Sequence, residues 1–204
     1  MTSQQHLYIN LKSRKDRNTE TIRELKSIGL KPNRFEAIKH DKGIIGCTKS
    51  HLEAIKLART NDWPYVAIFE DDVKFLKPKA TRKLMNKYAD SRFLSYDVLL
   101  LGGNNAGKYD RISKDLIKVS KVFTTTAYIV KKHYYDTLIE NLQEAYDLLV
   151  ANDGDRQYSL DVWWHRLQEQ DTWLMLTPLN VVQRADYSDI EDRDVDYEKI
   201  MRKL

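Results

Sequence analysis

The chain has 204 residues, the size of one ordinary domain and enough to bury a core without disulfide or metal staples. Hydrophobic residues make up 42% and charged residues 31%, which excludes a disordered or low-complexity chain, and the single cysteine, Cys47, excludes an intramolecular disulfide and a cysteine-rich zinc site. A net charge of +4, from 34 basic and 30 acidic residues, is too balanced to mark a nucleic-acid binder.

The charge is unevenly spread: six basic residues and no acid fall between Lys74 and Lys87, whereas seven acids and one arginine fall between Asp186 and Glu198. No apolar run approaches the roughly 18 residues of a membrane span, and the first residues carry no apolar signal-peptide core. A cytoplasmic location without a transmembrane segment is expected, and the lone cysteine fits a reducing compartment. With no internal repeat and no linker, residues 1–204 are expected to form a single domain.

In chain order, His6 to Leu11 reads as a first strand and Asp16 to Ile28 as a helix stopped by Gly29. Arg34 to Ile38 reads as a second strand. Cys47 to Asn61 forms a helical stripe through Leu52 and Ile55, ended by Trp63-Pro64. Tyr65 to Phe69 is a fully apolar strand, Pro78 opens a helix to about Ala89, and Tyr96 to Leu101 is a second apolar strand closed by Gly102-Gly103. Strands are then expected at Leu116 to Phe123 and Ala127 to Val130, and a long helix at His133 to Val150. Ser159 caps a helix to Gln170, Trp173 to Leu176 is a strand, and Val195 to Leu204 is a last helix. Alternating strands and helices predict an α/β, Rossmann-like three-layer sandwich with a mostly parallel central sheet, whose ligands bind at the carboxyl ends of the strands.

Glu70-Asp71-Asp72 follows an apolar strand directly, so it belongs at such an end. Alternation along the strand sends Glu70 and Asp72 to one side and Asp71 to the other. Converging hard oxygens suit Mg²⁺ or Mn²⁺; the competing reading is an acidic turn neutralised by Lys74, Lys77 and Lys79. Asn10-Leu11 ends the first strand, and Arg14 and Arg17 follow on the turn into the helix, where they could hold a phosphate or simply be solvated. In Gly46-Cys47-Thr48-Lys49-Ser50-His51, adjacent helical residues do not face each other, so Ser50 and His51 suit polar positioning better than a catalytic dyad. Cys47 reads as a small packed residue.

These blocks together resemble glycosyltransferase family 25, which contains lipooligosaccharide and procollagen galactosyltransferases and large-virus relatives. The family's I-N-L-x-x-R-x-x-R appears as Ile9, Asn10, Leu11, Arg14 and Arg17, its G-C-x-x-S-H as Gly46, Cys47, Ser50 and His51, and its E-D-D as Glu70, Asp71 and Asp72. Weaker echoes are Thr126-Ala127-Tyr128, Asp161 before Trp163-Trp164, and Pro178, Gln183 and Ser188-Asp189-Ile190. The resemblance implies a GT-A-like fold and a hexose carried from a UDP-sugar to a glycan, lipid-linked or protein hydroxyl. It further implies Mn²⁺ or Mg²⁺ held by Asp72 and Glu70, and Asn10, Leu11, Arg14, Arg17, Ser50, His51 and Asp71 around the nucleotide.

A cation at the diphosphate would offset the charge that builds on the leaving group. Inverting transfer then needs a carboxylate to take the acceptor's proton, for which Asp161 is the expected base by analogy, with Asp155, Asp186 and Asp189 as rivals. Asp161 is equally placed to cap a helix, and His165 to be a packed residue or a metal ligand. Trp163 and Trp164 point to different helix faces, one toward a sugar and one toward the core. A metal-dependent nuclease or phosphatase, and a non-catalytic sugar-nucleotide-binding module, are the alternative functions.

Overall fold

The computed structural model describes residues 5–91, 94–188 and 190–201. In chain order the elements begin with β1 (His6–Asn10), α1 (Lys15–Ser27), β2 (Arg34–Glu36), α2 (Gly43–Thr60), β3 (Tyr65–Glu70), β4 (Val73–Phe75) and α3 (Pro78–Tyr88). The middle of the chain forms β5 (Val98–Leu100), β6 (Asn104–Asn105), β7 (Tyr109–Arg111), β8 (Leu116–Val119), β9 (Val122–Phe123) and β10 (Ala127–Lys131). Then come α4 (Tyr135–Ala151), α5 (Leu160–Trp163), α6 (His165–Gln170), β11 (Trp173–Leu176), β12 (Val181–Gln183), β13 (Asp186–Ser188), β14 (Arg193–Val195) and α7 (Glu198–Met201).

Eight strands form the central sheet in the order β2-β1-β3-β10-β5-β11-β8-β7. Six of them run the same way; β10 and β8 oppose them, so the sheet is mixed in pairing although mostly parallel in direction. Period-two alternation splits the apolar residues between its faces. Leu7, Ile9, Val66, Ile68, Val98 and Leu100 pack under α2, α4, α5 and α6. Tyr8, Ala67, Phe69, Leu99 and Leu101 pack under α1 and α3. The expected three-layer α/β arrangement is therefore present, and the unbroken apolar runs of β3 and β5 follow from burial on both faces.

Two departures from the expected elements have local causes. The expected strand from Leu116 to Phe123 stops at Val119, because the peptide of Val122 is satisfied from the helical layer. Gln168 accepts from Val122 N at 2.7 Å and donates to Val122 O at 3.1 Å, and the Trp164 indole donates to the same carbonyl at 3.0 Å. β9 pairs instead with β6. The helix expected from Ser159 to Gln170 breaks at Trp164, whose ring enters the core edge-on to Tyr128 and Trp173. Ser159 does not cap with its hydroxyl, which donates to Asp161 Oδ1 at 2.9 Å. The last expected helix begins later than Val195, which belongs to β14; α7 runs from Glu198 to Met201, and 202–204 lie outside the described residues.

Parallel neighbours β2, β1 and β3 end side by side, and β10, running the other way, begins beside them. That edge of the sheet brings together the loop after β2, Asn10-Leu11, the Glu70-Asp71-Asp72 turn and Thr124–Thr126. No helix among the described residues is long and apolar enough to cross a membrane.

Candidate active site

A cavity of about 390 Å³ opens at this edge. Asn10, Leu11, Arg17, Ser50, His51, Glu70, Asp71 and Asp72 all line it, so eight of the ten residues singled out from the sequence meet there. Arg14 and Asp161 do not line it.

The acid turn is buried and divided among neighbours. Glu70 Oε1 accepts a hydrogen bond from Thr125 Oγ1 at 2.6 Å and lies 3.3 Å from His51 Nε2, while His51 Nδ1 lies 2.7 Å from the Tyr128 hydroxyl. Asp71 accepts from Asn10 Nδ2 at 2.7 Å and from Arg17 Nη1 at 2.9 Å. Asp72 Oδ2 accepts from Gln183 Nε2 at 2.9 Å and more distantly from Arg17.

Burial works against the charge of all three carboxylates. For Glu70 the hydrogen bond and charge of His51, with Thr125 and Arg17, outweigh it and hold the pKa below its ordinary value. Asp71 and Asp72 are pushed up, Asp72 furthest, by burial first; for Asp72 the charge of Glu70 adds to the effect. Asp72 Oδ1 and Asn10 Oδ1 are buried without a hydrogen-bond partner among the described residues. An under-compensated cluster of hard oxygen donors fits a divalent cation.

Arg17 is placed differently from the expectation of a guanidinium available to phosphate. It is 8% exposed, paired with Asp71 and, at 3.1 Å, with Asp186, and it donates to Tyr187 O at 2.7 Å. Arg14 pairs with Asp16 and Asp186 beside the cavity. Asp186, a rival base, is thus engaged by both arginines, and Asp189 lies outside the described residues.

The G-C-x-x-S-H block resolves into separate tasks. Ser50 Oγ accepts from Ile38 N at 2.8 Å and donates to Gly46 O at 2.6 Å, pinning the loop after β2 to α2. A Cβ on Gly46 would stand 2.5 Å from Ile38 O, so only glycine lets that loop lie so close. His51 holds Glu70 and Tyr128. Cys47 sits on the cavity wall, and burial, with Glu70 nearby, pushes its thiol pKa well up.

Asp161 stands apart. Its Oδ2 accepts from Thr124 N at 3.1 Å and its Oδ1 from Ser159, so both oxygens brace a turn in which Thr124 takes φ +70°. His165 meets Phe123 edge-on rather than the cavity. Trp164 is the core tryptophan; Trp163 lies against Tyr158 and under the Arg166 guanidinium, away from the cavity. Asp155 caps the short turn after α4.

Sequence reasoning missed the loop of Ala37, Ile38, Lys39, His40 and Asp41, which forms one wall of the cavity. Its two basic side chains are exposed. Gln183, Ser188 and Ile190, weak echoes in the sequence, supply another wall, and Arg184 ties that segment down by donating its backbone N–H to Asp72 O at 2.7 Å.

An α/β sandwich with an acid turn and a cavity at the carboxyl ends of adjacent parallel strands has the layout of a nucleotide-type ligand site. The chain belongs to glycosyltransferase family 25, described as LPS biosynthesis protein, whose model matches residues 41–146, just over half of its length. A comparison with curated proteins finds no match. Among solved structures, it is similar to a mannose-1-phosphate geranyltransferase from Thermus thermophilus, at 10% identity and a TM-score of 0.46, covering 83% of this chain and 58% of that one. A glycosyltransferase involved in glycosylation of the major capsid of PBCV-1 shares 12% identity at a TM-score of 0.44, with 71% and 65% covered. A Drosophila β-1,4-galactosyltransferase 7 mutant, in complex with manganese, UDP-Gal and xylobiose, shares 10% identity at 0.46, with 98% and 79% covered. The chain thus spans less than two thirds of the length of the first two.

Two substitutions test this construction. Arg17→Ala leaves buried carboxylates without their cation, a loss of about 3 to 5 kcal/mol, and thermal melts should fall by on the order of 10 °C; an unchanged melting temperature would mean the pairs contribute nothing. Gly46→Ala drives a methyl group into the Ile38 carbonyl at a cost of about 1 to 3 kcal/mol. Melting at the wild-type temperature would show the loop to be slack.

Proposed function

We propose that the chain is a metal-dependent glycosyltransferase that moves a hexose, galactose or glucose, from a UDP-sugar to a hydroxyl of a glycan, lipid-linked or protein acceptor, with inversion at the sugar carbon. The observation that carries this reading is the buried, under-compensated Glu70-Asp71-Asp72 turn on the wall of a cavity large enough for a nucleotide, in a chain of a glycosyltransferase family. Asp72 would hold Mn²⁺ or Mg²⁺, with Glu70 beside it. When bound, the cation supplies positive charge where the departing diphosphate becomes more negative.

The remaining work falls to the protein. Asn10 and Leu11 close the floor of the cavity beside the nucleotide. Ser50 fixes the loop carrying Lys39 and His40, whose cationic or polar heads are available to the diphosphate. Arg14 flanks the same edge, and Arg17 partly offsets the burial of Asp71 and holds it in place rather than meeting the phosphates itself. Gln183, Ser188 and Ile190 wall one side of the site, where they would shield the bound donor from water.

Calorimetry with UDP checks the donor half. Affinity should rise with Mn²⁺ and fall with chelator, and Asp72→Asn, which keeps size and removes an anionic ligand, should remove most of the Mn²⁺ dependence. Equal affinity in Mn²⁺ and in chelator would overturn the reading. Phosphodiester cleavage with no sugar acceptor would favour the nuclease alternative.

Asp161 tests the base assignment. Its hydrogen bonds make it a brace for Thr124, and asparagine can still accept from that N–H. Asp161→Asn should therefore leave single-turnover transfer within about tenfold of wild type, against the loss of about 10² to 10⁴ expected of a general base. A loss in that larger range, with UDP affinity intact, would return the base role to Asp161.

A further inference from the structure

We propose that Cys47, His51 and Glu70 form a second cation site, selective for zinc over magnesium or manganese, with its open side toward the cavity. Cys47 and His51 are four residues apart, so they project from one face of α2, and Glu70 meets them from the end of β3. One ligand atom from each, Sγ, a ring nitrogen and a carboxylate oxygen, lie within 4.8 Å of one another. Ligands of a tetrahedral zinc ion stand roughly 3.3 to 3.8 Å apart, given bonds of about 2.0 to 2.3 Å. His51 Nε2 and Glu70 Oε1 already lie 3.3 Å apart, so the adjustment falls on the Cys47 side chain.

The outer partners that such ligands need are already present. An imidazole that binds a metal through one nitrogen is oriented by a hydrogen bond at the other, and His51 Nδ1 has the Tyr128 hydroxyl at 2.7 Å. Tyr128 is buried and stacked on the His51 ring, with centroids 5.7 Å apart. Glu70 is held by Thr125 through Oε1, and its Oε2 takes no hydrogen bond from the described residues. Cys47 makes none either, although it lines the cavity.

The donor chemistry decides which cation. Thiolate and imidazole favour zinc and its softer neighbours, whereas Mg²⁺ and Mn²⁺ prefer all-oxygen sites. Three protein ligands with an open fourth position match a zinc ion that retains a water or a substrate oxygen. On binding, the Cys47 thiol gives its proton to solvent and its sulfur takes the ion. Asp72 takes no part, and Glu70 is the one residue this site shares with the donor-site reading.

Cobalt(II) titration of the metal-free chain, followed by absorbance, tests the proposal. The protein has one cysteine, so any thiolate-to-cobalt charge-transfer band reports Cys47 without a mutant. One equivalent of Co²⁺ should raise the band, one equivalent of Zn²⁺ should erase it, and excess Mg²⁺ should not. Tyr128→Phe should weaken zinc binding by about 10- to 100-fold, Cys47→Ser should abolish the band, and Asp72→Asn should keep it. Cobalt binding with no thiolate band, or wild-type zinc affinity in folded Cys47→Ser, would overturn the site. UDP calorimetry with Mn²⁺ on the same samples reads the donor site separately, so either can fail alone.

Discussion

Three consecutive carboxylates at the end of a central strand, two of them buried and Glu70 half-buried, set the terms for everything around them. Taking such charges out of water costs several kcal/mol each unless cations or donors meet them. Much of the surrounding architecture consists of those donors. Asn10 comes from β1, Arg17 from α1, His51 from α2, Thr125 from the approach to β10 and Gln183 from β12. Each of the five reaches the turn from a different part of the chain, so the turn ties both helical layers and the sheet to one point.

The compensation is unequal, and that inequality is chemically useful. Glu70 is ionised comfortably beside His51, whereas Asp72 has one buried oxygen with no donor and a neighbour of like charge. A turn fully neutralised by arginine would have been a structural knot with no affinity for a cation. Here Arg17 is spread over Asp71, Asp72 and Asp186 and satisfies none of them alone. Asp72, which lines the cavity, is therefore the least compensated of the three carboxyls.

How much of this the sequence disclosed depended on the range over which each signal acts. The apolar strands and the α2 and α4 helices were legible because burial on one or two faces writes a short-period pattern into neighbouring residues. The strand-end position of the acid turn followed from the same pattern. The fate of Arg17 was not legible, since its partners lie 54 and 169 residues away and solvated arginines look the same in sequence. Two-residue and three-residue strands such as β4, β6 and β12 carry no periodicity to read. Val122 left the expected strand because two side chains from α5–α6 substituted for a strand neighbour, a tertiary choice that overrides local preference.

Asp161 shows how a residue outside the cavity can shape its wall through the backbone. Its carboxylate fixes Thr124 in a left-handed conformation, which a β-branched residue adopts only when its surroundings demand it. The next residue, Thr125, donates its hydroxyl to Glu70, and the peptide of Thr126 accepts the Glu70 N–H at 2.9 Å. Helix α5 thus sets the turn before β10, and that turn holds the same Glu70 oxygen that His51 meets. Glu70 is held between two short rigid chains, one through Thr125 to Asp161 and one through His51 to Tyr128. The position of its head group is thereby fixed from two elements, α2 and the turn before β10.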